Sequence, residues 1–203
     1  MHYVIGLTGG IACGKSSVSR ILKSLGAIII DADRIGHEVL APGQRAYQQV
    51  VDAFGQEILD LDANIDRKKL GSLVFSCQAK LEMLNSLTHP HIINNIEKQI
   101  STNDGIMVLD AALLFETGLD RLCDETWLVT ASKEQQIERI LSRDGLSRQE
   151  AERRIASQNI GFKKERAGHM IDNSGALSDL SSQVRCLYRR VEEICAKKRR
   201  EKR

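Results

Sequence analysis

Short apolar runs alternate with amphipathic stretches along this chain. Apolar or β-branched runs at residues 3–7, 27–30, 106–109, 125–131 and 170–171 predict five strands. Between most of these runs, apolar residues recur three and four positions apart, which is typical of helices with one buried face. The alternation predicts an α/β protein in which a five-stranded parallel sheet lies between two helical layers, a three-layer α/β/α architecture.

One long span lacks any strand pattern. From Gln44 to about Ser101 the apolar spacing is helical, and Pro90 is predicted to begin the last of these helices. We therefore predict a single domain in which a helical lobe, residues 36–101, is inserted into a core. The core comprises residues 1–35, 102–132 and 165–203.

A glycine-rich loop links the first predicted strand to the first predicted helix. The residues Gly9-Gly10-Ile11-Ala12-Cys13-Gly14-Lys15-Ser16 fit the pattern G-x-x-x-x-G-K-[ST]. In this pattern the backbone N–H groups surround phosphates, the lysine reaches the β- and γ-phosphates, and the serine hydroxyl binds Mg²⁺. Motif and context together predict nucleotide binding by a P-loop NTPase fold, but they do not distinguish a kinase, a GTPase and a motor.

Carboxylates follow two of the predicted strands. Asp31 and Asp33 come after the second strand and Asp110 ends the third, at the edge where open α/β sheets bind ligands. Asp33 is a candidate to accept a proton from a hydroxyl, or to hold Mg²⁺ through water. Either acid can instead cap the following helix. Asp110 is either a Walker B carboxylate that assists Mg²⁺ or a capping residue.

Two arginine-rich helices are predicted in residues 133–164, a segment named the lid below. Ser132 and the capping box Ser147-Arg148-Gln149-Glu150 mark where the helices begin. Arg139 and Arg143 share one helix face. We interpret the segment as closing over a triphosphate and supplying cations to the transferring phosphoryl group. The alternative is a solvated surface with glutamate partners, which is favoured for Arg148.

Three further polar residues are candidates for a site. Asn173, in the turn after the last strand, either hydrogen-bonds adenine or is an ordinary turn residue. His89 and His91 flank Pro90 without a third ligand at metal-binding spacing, so no metal site is expected there. A hydrogen bond from His89 to substrate or to the lobe remains open.

Composition narrows the classes of protein. The net charge is +2, and the basic groups are concentrated in residues 197–203, which leaves an acidic body that disfavours a specific nucleic-acid surface. No membrane span or secretory signal is recognisable, which favours the cytoplasm. The five cysteines are odd in number and predicted to be free thiols, with Cys13 a small filler residue.

Motifs along most of the chain resemble those of the dephospho-CoA kinase family. The matching segments include the glycine loop with Thr8, the two acids after the second strand, and several positions in the lobe, the lid and the rest of the core: Phe54-Gly55, Ile65-Asp66-Arg67, Leu70, Phe75, His89-Pro90, Leu113-Leu114-Phe115-Glu116, Gln136, Arg139, Arg143-Asp144, Gln158 and Ile171-Asp172-Asn173. The lobe motifs are the specific part, since other P-loop kinases lack them.

The resemblance implies transfer of the ATP γ-phosphoryl group to the ribose 3′-hydroxyl of dephospho-CoA, with Mg²⁺. It implies catalytic roles for Asp33, Lys15 and Arg139, and metal binding by Ser16 and, through water, Asp33. The residues implied for ATP are Gly10, Ile11, Ala12, Cys13, Gly14, Lys15, Ser16, Ser17, Arg139, Arg143 and Asn173. Those implied for the acceptor are Thr8, Asp33, Asp66, Arg67, His89 and Leu114. A monomer or weak homo-oligomer is expected.

Three positions depart from the family pattern. Ala63 and Ala112 stand where glycine and proline are usual, and Gly168 stands where an acid is common. They put local loop geometry in question rather than the reaction. Two alternatives remain: a kinase of nucleosides or nucleoside monophosphates, which differs in its acceptor, and a nucleotide-binding switch whose basic tail contacts RNA. No Asn-Lys-x-Asp guanine motif supports the second.

Overall fold

The computed structural model describes residues 2–201, so the last two residues of the basic tail lie outside the described part. Its strands are β1 (His2–Gly9), β2 (Ile28–Asp31), β3 (Gly105–Asp110), β4 (Glu125–Thr130) and β5 (His169–Asp172). Its α-helices are α1 (Lys15–Ser24), α2 (Ala32–Glu38), α3 (Arg45–Phe54), α4 (Arg67–Phe75), α5 (Gln78–Thr102), α6 (Lys133–Asp144), α7 (Arg148–Ala156), α8 (Ile160–Arg166) and α9 (Leu177–Glu201). The predicted α/β fold with a five-stranded parallel sheet is confirmed.

The strand order β2-β3-β1-β4-β5 puts β1 at the centre of the sheet. Strand β1 pairs in parallel with both β3 and β4, and it is buried from Tyr3 onward. Because successive side chains of a strand point to opposite faces, Tyr3, Ile5 and Leu7 share one face. They pack in a core with residues of α1 and α9, including Val18, Leu22 and Val184. The loop after β1 therefore begins at the end of the central, buried strand of the sheet.

The chain divides into two compact units. The first contains the residues up to Ile30 and from Thr102 onward, and the second is Asp31–Ser101. The second unit has its own apolar core, which includes Val50, Phe54, Ile58, Leu70 and Val74. No helix among residues 2–201 is both long and apolar enough to cross a membrane.

The prediction that Pro90 begins a helix is wrong, because Pro90 lies inside α5. A proline within a helix removes one backbone hydrogen bond and costs about 3 kcal/mol. Thr88, Ile96 and Ile100 are nevertheless buried on the two sides of Pro90. The burial of this longer helix outweighs the preference of proline for the first turn of a helix. The spacing of apolar residues does not show which of these two effects is larger.

The lid contains one helix more than the spacing predicts. Its second helix, expected to reach about Gln158, ends at Ala156, and α8 follows after a short turn. The Asn159 side chain accepts a hydrogen bond from the Phe162 N–H and caps α8. An asparagine before a short amphipathic stretch is an N-terminal signal that could have predicted this helix. The predicted caps Ser132 and Ser147 are both confirmed.

Ala63 occupies a backbone conformation that favours glycine. Its φ is 59°, in the left-handed region, where a Cβ costs about 1–2 kcal/mol. Its carbonyl oxygen accepts a hydrogen bond of 2.5 Å from the Tyr47 hydroxyl, which helps to fix the turn. The positive φ therefore explains why glycine is usual at this position in the family, and alanine adds backbone strain to the second unit.

We expect Ala63→Gly to stabilise the protein by about 0.5–1 kcal/mol, because relief of this strain exceeds the extra freedom glycine has in the unfolded chain. Urea unfolding followed by circular dichroism measures the change. Ala53→Gly is the matched control, since Ala53 is exposed in α3 and glycine within a helix destabilises by about 0.5–1 kcal/mol. The same alanine-to-glycine substitution should thus raise the free energy of unfolding at position 63 and lower it at position 53. Destabilisation by both substitutions would contradict the assignment of strain at Ala63.

Candidate active site

A cavity of about 1000 Å³ lies in the first unit at the glycine loop. Its lining includes every residue implied for ATP except Cys13. The complete lining is Gly9, Gly10, Ile11, Ala12, Gly14, Lys15, Ser16, Ser17, Ala112, Glu138, Arg139, Ser142, Arg143, Gln158, Asn173, Gly175 and Leu177. Residues from the loop, the lid and the turn after β5 are thus brought together around one space.

Gly14 is required by both conformation and space. Its φ is 89°, and it directly precedes α1 as the helix cap. A Cβ built on Gly14 would lie 2.0 Å from Asn173 Nδ2, which is far inside contact distance. Any larger residue would displace the loop or Asn173, so glycine here is needed for the local packing.

Side chains hold three consecutive carbonyl groups of the loop. Gln136 Nε2 donates to the Ile11 carbonyl at 2.7 Å, and Arg139 Nη1 donates to the Ala12 carbonyl at 3.1 Å. Asn173 Nδ2 donates to the Cys13 carbonyl at 2.8 Å. The donors come from α6 and from the turn after β5, so distant parts of the chain determine the orientation of the loop.

The direction of these carbonyls fixes the direction of the neighbouring N–H groups. In a trans peptide the C=O and the following N–H point to opposite sides. Holding the Ile11 and Cys13 carbonyls therefore turns the N–H groups of Ala12 and Gly14 the other way, and both residues line the cavity. Within residues 2–201 these two N–H groups bind no protein acceptor. Together with the N-terminus of α1, they form a cradle suited to an anion.

Lys15, which lines the cavity, forms an ion pair with Asp110. Asp110 is the last residue of β3 and is buried, while Ser16 is exposed in the first turn of α1. No group of three or more His, Cys, Asp or Glu side chains within residues 2–201 is arranged to hold a metal ion. The Ser16 hydroxyl and the Asp110 carboxylate are nevertheless hard oxygen ligands, which fits Mg²⁺ that takes its other ligands from phosphate and water.

The lid arginines differ in their partners. Arg139 is half-buried and donates through Nη2 to the Asn173 carbonyl at 3.0 Å as well as to Ala12. Arg143 also lines the cavity and forms a two-point ion pair with Asp144, at 2.7 and 3.0 Å. Arg148 is paired with Glu134 at 2.8 Å. The interpretation of Arg148 as a solvated surface residue with a glutamate partner is therefore the one the structure supports.

Cys13 turns its side chain away from the cavity into the sheet core, where it is 2% exposed. Burial is the main cause that raises the pKa of its thiol, so the sulfur remains protonated near neutral pH. Its Sγ accepts a hydrogen bond of 3.2 Å from Gln136 Nε2. These features are those of a small packing residue, as the sequence indicated. All five cysteines are free.

A buried lysine organises the segment after β3. Lys163 of α8 is 3% exposed, and its Nζ donates to the Ala112 carbonyl at 2.6 Å and pairs with Glu116 at 3.1 Å. The Thr8 hydroxyl donates to the same Ala112 carbonyl at 3.1 Å. Thr8, implied as an acceptor contact, is itself fully buried. Its visible role is to fix the Ala112 backbone at the edge of the cavity.

Leu114, the other acceptor residue implied in the first unit, is also fully buried. It packs against β1, since a Cβ built on Gly6 would lie 2.8 Å from its side chain. The neighbouring Leu113 is instead 56% exposed. Leu113 therefore presents an apolar side chain to solvent, while Leu114 anchors the segment to the sheet.

The implied site residues of the second unit occupy helix termini and one helix interior. The Asp31 side chain accepts a hydrogen bond from the Arg34 N–H and caps α2, and Asp33 is exposed in the first turn of that helix. Asp66 caps α4 by accepting hydrogen bonds from two N–H groups. Arg67 is exposed and lines a cavity of about 280 Å³. Desolvation by burial lowers the pKa of His89, which favours its neutral form.

His91 has a structural partner in the second unit. Its Nε2 lies 2.9 Å from Gln49 Oε1, within hydrogen-bond distance. This contact links α5 to α3 and gives the histidine a role in packing.

The remaining departure from the family pattern, Gly168, donates its N–H to Thr126 Oγ1 at 3.1 Å, at the start of β5.

Sequence reasoning gave no role to three polar residues at the cavity or beside it. Gln136 and Gln158 both hydrogen-bond Ile11, and Lys163 holds Ala112. The two glutamines were recognised only as part of a family resemblance. Lys163 carried no usable signal, because it is one of two adjacent lysines in a short helix and its partner is more than forty residues away in sequence.

Comparison with known proteins shows to which family this chain is related. Residues 3–179 match a family model described as dephospho-CoA kinase. A dephospho-CoA kinase of Carboxydothermus hydrogenoformans is 50% identical over 186 residues, covering 89% of this chain and 90% of that protein. One from Geobacter sulfurreducens is 44% identical over 200 residues, with coverages of 96% and 98%. The solved dephospho-CoA kinase of Campylobacter jejuni has a TM-score of 0.71 at 30% identity, with coverages of 95% and 98%.

Proposed function

This chain belongs to the dephospho-CoA kinase family, and from that premise we propose how its own residues carry out the reaction. The enzyme transfers the γ-phosphoryl group of ATP to the ribose 3′-hydroxyl of dephospho-CoA, giving coenzyme A and ADP. The observation that carries the assignment is the family match, which includes both the glycine loop and the second unit. The cavity at the loop supplies a site of suitable size and polarity for the nucleotide.

ATP is proposed to bind with its phosphates against the loop. The N–H groups of Ala12 and Gly14 point away from their neighbours' bound carbonyls, and both residues line the cavity, so we propose that these groups donate to phosphate oxygens. Lys15 provides a point charge for the β- and γ-phosphates. Arg139 keeps guanidinium donors beyond the two it gives to backbone carbonyls. Arg143 and Asn173 complete the proposed set, with Asn173 toward adenine.

The chemical step is proposed to depend on a base and on cations. Asp33 accepts the proton of the 3′-hydroxyl as that oxygen attacks the γ-phosphorus, and the bond to the β–γ bridging oxygen breaks to release ADP. Lys15 and Arg139 stabilise the negative charge on the transferring group. Mg²⁺, held by Ser16 and through water by Asp33, would supply further charge neutralisation. Positioning and neutralisation account for most of the catalysis in phosphoryl transfer.

Acceptor recognition is proposed to involve Asp66, Arg67 and His89 of the second unit, with Asp33. Arg67 is an exposed guanidinium, which suits an anionic group of dephospho-CoA. His89, whose pKa is lowered, would act as a neutral hydrogen-bonding group. Thr8 and Leu114 act by holding the segment at Ala112 and Leu113, in keeping with their burial.

We further propose a cytoplasmic enzyme that acts as a monomer or weak homo-oligomer without a specific nucleic-acid partner. The five free thiols suit a reducing compartment. ATP and Mg²⁺ are available in the same compartment.

The acceptor is the decisive test of the proposed chemistry. With ATP and Mg²⁺, the purified protein is expected to convert dephospho-CoA to coenzyme A, measured by mass spectrometry, and to leave adenosine, other nucleosides and AMP unchanged. The variant Lys15→Met serves as the control for contaminating kinases, because loss of the loop lysine should remove most activity. Turnover of a nucleoside without turnover of dephospho-CoA would contradict the assignment.

A further inference from the structure

Two glutamines of the lid hold the same loop residue. Gln136, on α6, donates from Nε2 to the Ile11 carbonyl at 2.7 Å. Gln158, between α7 and α8, accepts the Ile11 N–H on Oε1 at 2.7 Å. Both polar groups of one residue are therefore bound by the lid, on the two consecutive peptides that flank Ile11.

The apolar contacts of Ile11 also connect the loop to the lid. Its side chain and that of Ala12 pack against the buried lid residues Ile137, Ile140 and Ala151. The first part of the phosphate loop therefore shares a small core with α6 and α7. A change in the position of these helices would act directly on the Ile11 backbone.

The orientation of the Ile11–Ala12 peptide decides whether its N–H or its carbonyl oxygen faces a bound anion. With its carbonyl held by Gln136, its N–H, which belongs to Ala12, points in the opposite direction. Rotation of that peptide would reverse the two groups and direct a carbonyl oxygen toward phosphate. Because a carbonyl oxygen repels an anion, a donor that holds this carbonyl has a direct electrostatic benefit for nucleotide binding.

We propose that Gln136 and Gln158 are positioning residues that hold the Ile11 backbone in its phosphate-binding orientation and so couple the lid to the loop. We assign both effects to the contact with Ile11, although Gln158 also lines the cavity. The proposal rests on the proposed binding of ATP at this loop. Gln136 acts as a donor and Gln158 as an acceptor. Replacement of Gln136 by a group of equal shape but without N–H donors should therefore not preserve its effect.

The test compares Gln136→Leu and Gln136→Glu with the same changes at Gln149, which is exposed on α7 of the same lid. Both Gln136 variants are expected to lower kcat/KM for ATP by about tenfold, the value of one hydrogen bond of ordinary strength. The KM for dephospho-CoA should change less than about twofold. The Gln149 variants should match the wild type for both substrates.

An exchange measurement separates this proposal from the assignment of activity. The Ile11 amide should exchange with solvent several-fold faster in Gln158→Leu than in wild type or Gln149→Leu, as followed by NMR without any turnover. Gln158→Asn, which keeps the amide on a shorter stem, should behave like Gln158→Leu. The proposal is overturned if Ile11 exchange is unchanged, or if Gln136→Glu keeps kcat/KM for ATP within twofold of Gln149→Glu.

Discussion

Asp33→Asn is expected to lower kcat by about 10²- to 10⁴-fold, the range contributed by a positioned general base. The amide keeps the shape of the carboxylate but cannot take the proton of the 3′-hydroxyl. Asp33 lies exposed in the first turn of α2, and the substitution leaves intact the Asp31 cap at the start of this helix. Steady-state kinetics gives kcat, and calorimetric titration with ATP should show a Kd within about threefold of wild type if Asp33 acts mainly as the base.

Asp31→Asn is the matched control for this prediction. Asp31 caps α2 through its bond to the Arg34 N–H, and asparagine caps a helix about as well as aspartate. The substitution thus makes the same charge change two positions away while preserving the cap, and kcat should remain within about threefold of wild type. Equal losses in the two variants would show that the activity responds to local charge rather than to a base at position 33.

Arg139→Ala is expected to lower kcat by about 10²- to 10³-fold, as for removal of one preorganised donor to a charged transition state. Two effects combine, because the guanidinium loses its reach toward phosphate and the Ala12 carbonyl loses its donor. The KM for dephospho-CoA should change much less than kcat. Arg139→Lys should recover little, since a single ammonium cannot reproduce the planar fork that bridges Ala12 and Asn173.

Arg148→Ala is the control within the same lid. Arg148 is exposed and its charge is shared with Glu134 and Glu152, and surface ion pairs contribute about 1 kcal/mol or less. Activity should stay within about threefold of wild type. A loss comparable to that of Arg139→Ala would mean that the lid acts through its total charge. A change confined to the acceptor KM in Arg139→Ala would instead place Arg139 at the acceptor.

Local sequence signals predicted the elements whose formation depends on near neighbours. The loop from Gly9 to Ser16, the cap at Ser132 and the capping box at Ser147 each combine a strong motif with residues a few positions away. Pro90 shows where such reasoning fails, since burial along α5 overrides the preference of the proline. The helix α8 was missed because only Asn159 marks its start and its apolar pattern is short.

The site was predictable in its residue types but not in its connections. Most residues implied for ATP line one cavity, because the loop, the lid and the last turn all follow recognisable patterns. The hydrogen bonds that join the loop backbone to Gln136, Gln158 and Asn173 were not predictable, since each joins positions more than a hundred residues apart. Such bonds depend on how whole helices pack, and they produce no periodic pattern of residue types along the sequence.

The pairing of Lys15 with Asp110 has a consequence for which ligands compete at this loop. A bare anion that binds Lys15 competes with the buried Asp110 carboxylate for the same ammonium group, and it brings a second negative charge close to that carboxylate. A nucleotide that carries its own divalent cation offers a replacement to both members of the pair. We therefore expect the ion pair to disfavour free phosphate and sulfate relative to a nucleotide with its cation, and we expect nucleotide and cation to raise each other's affinity.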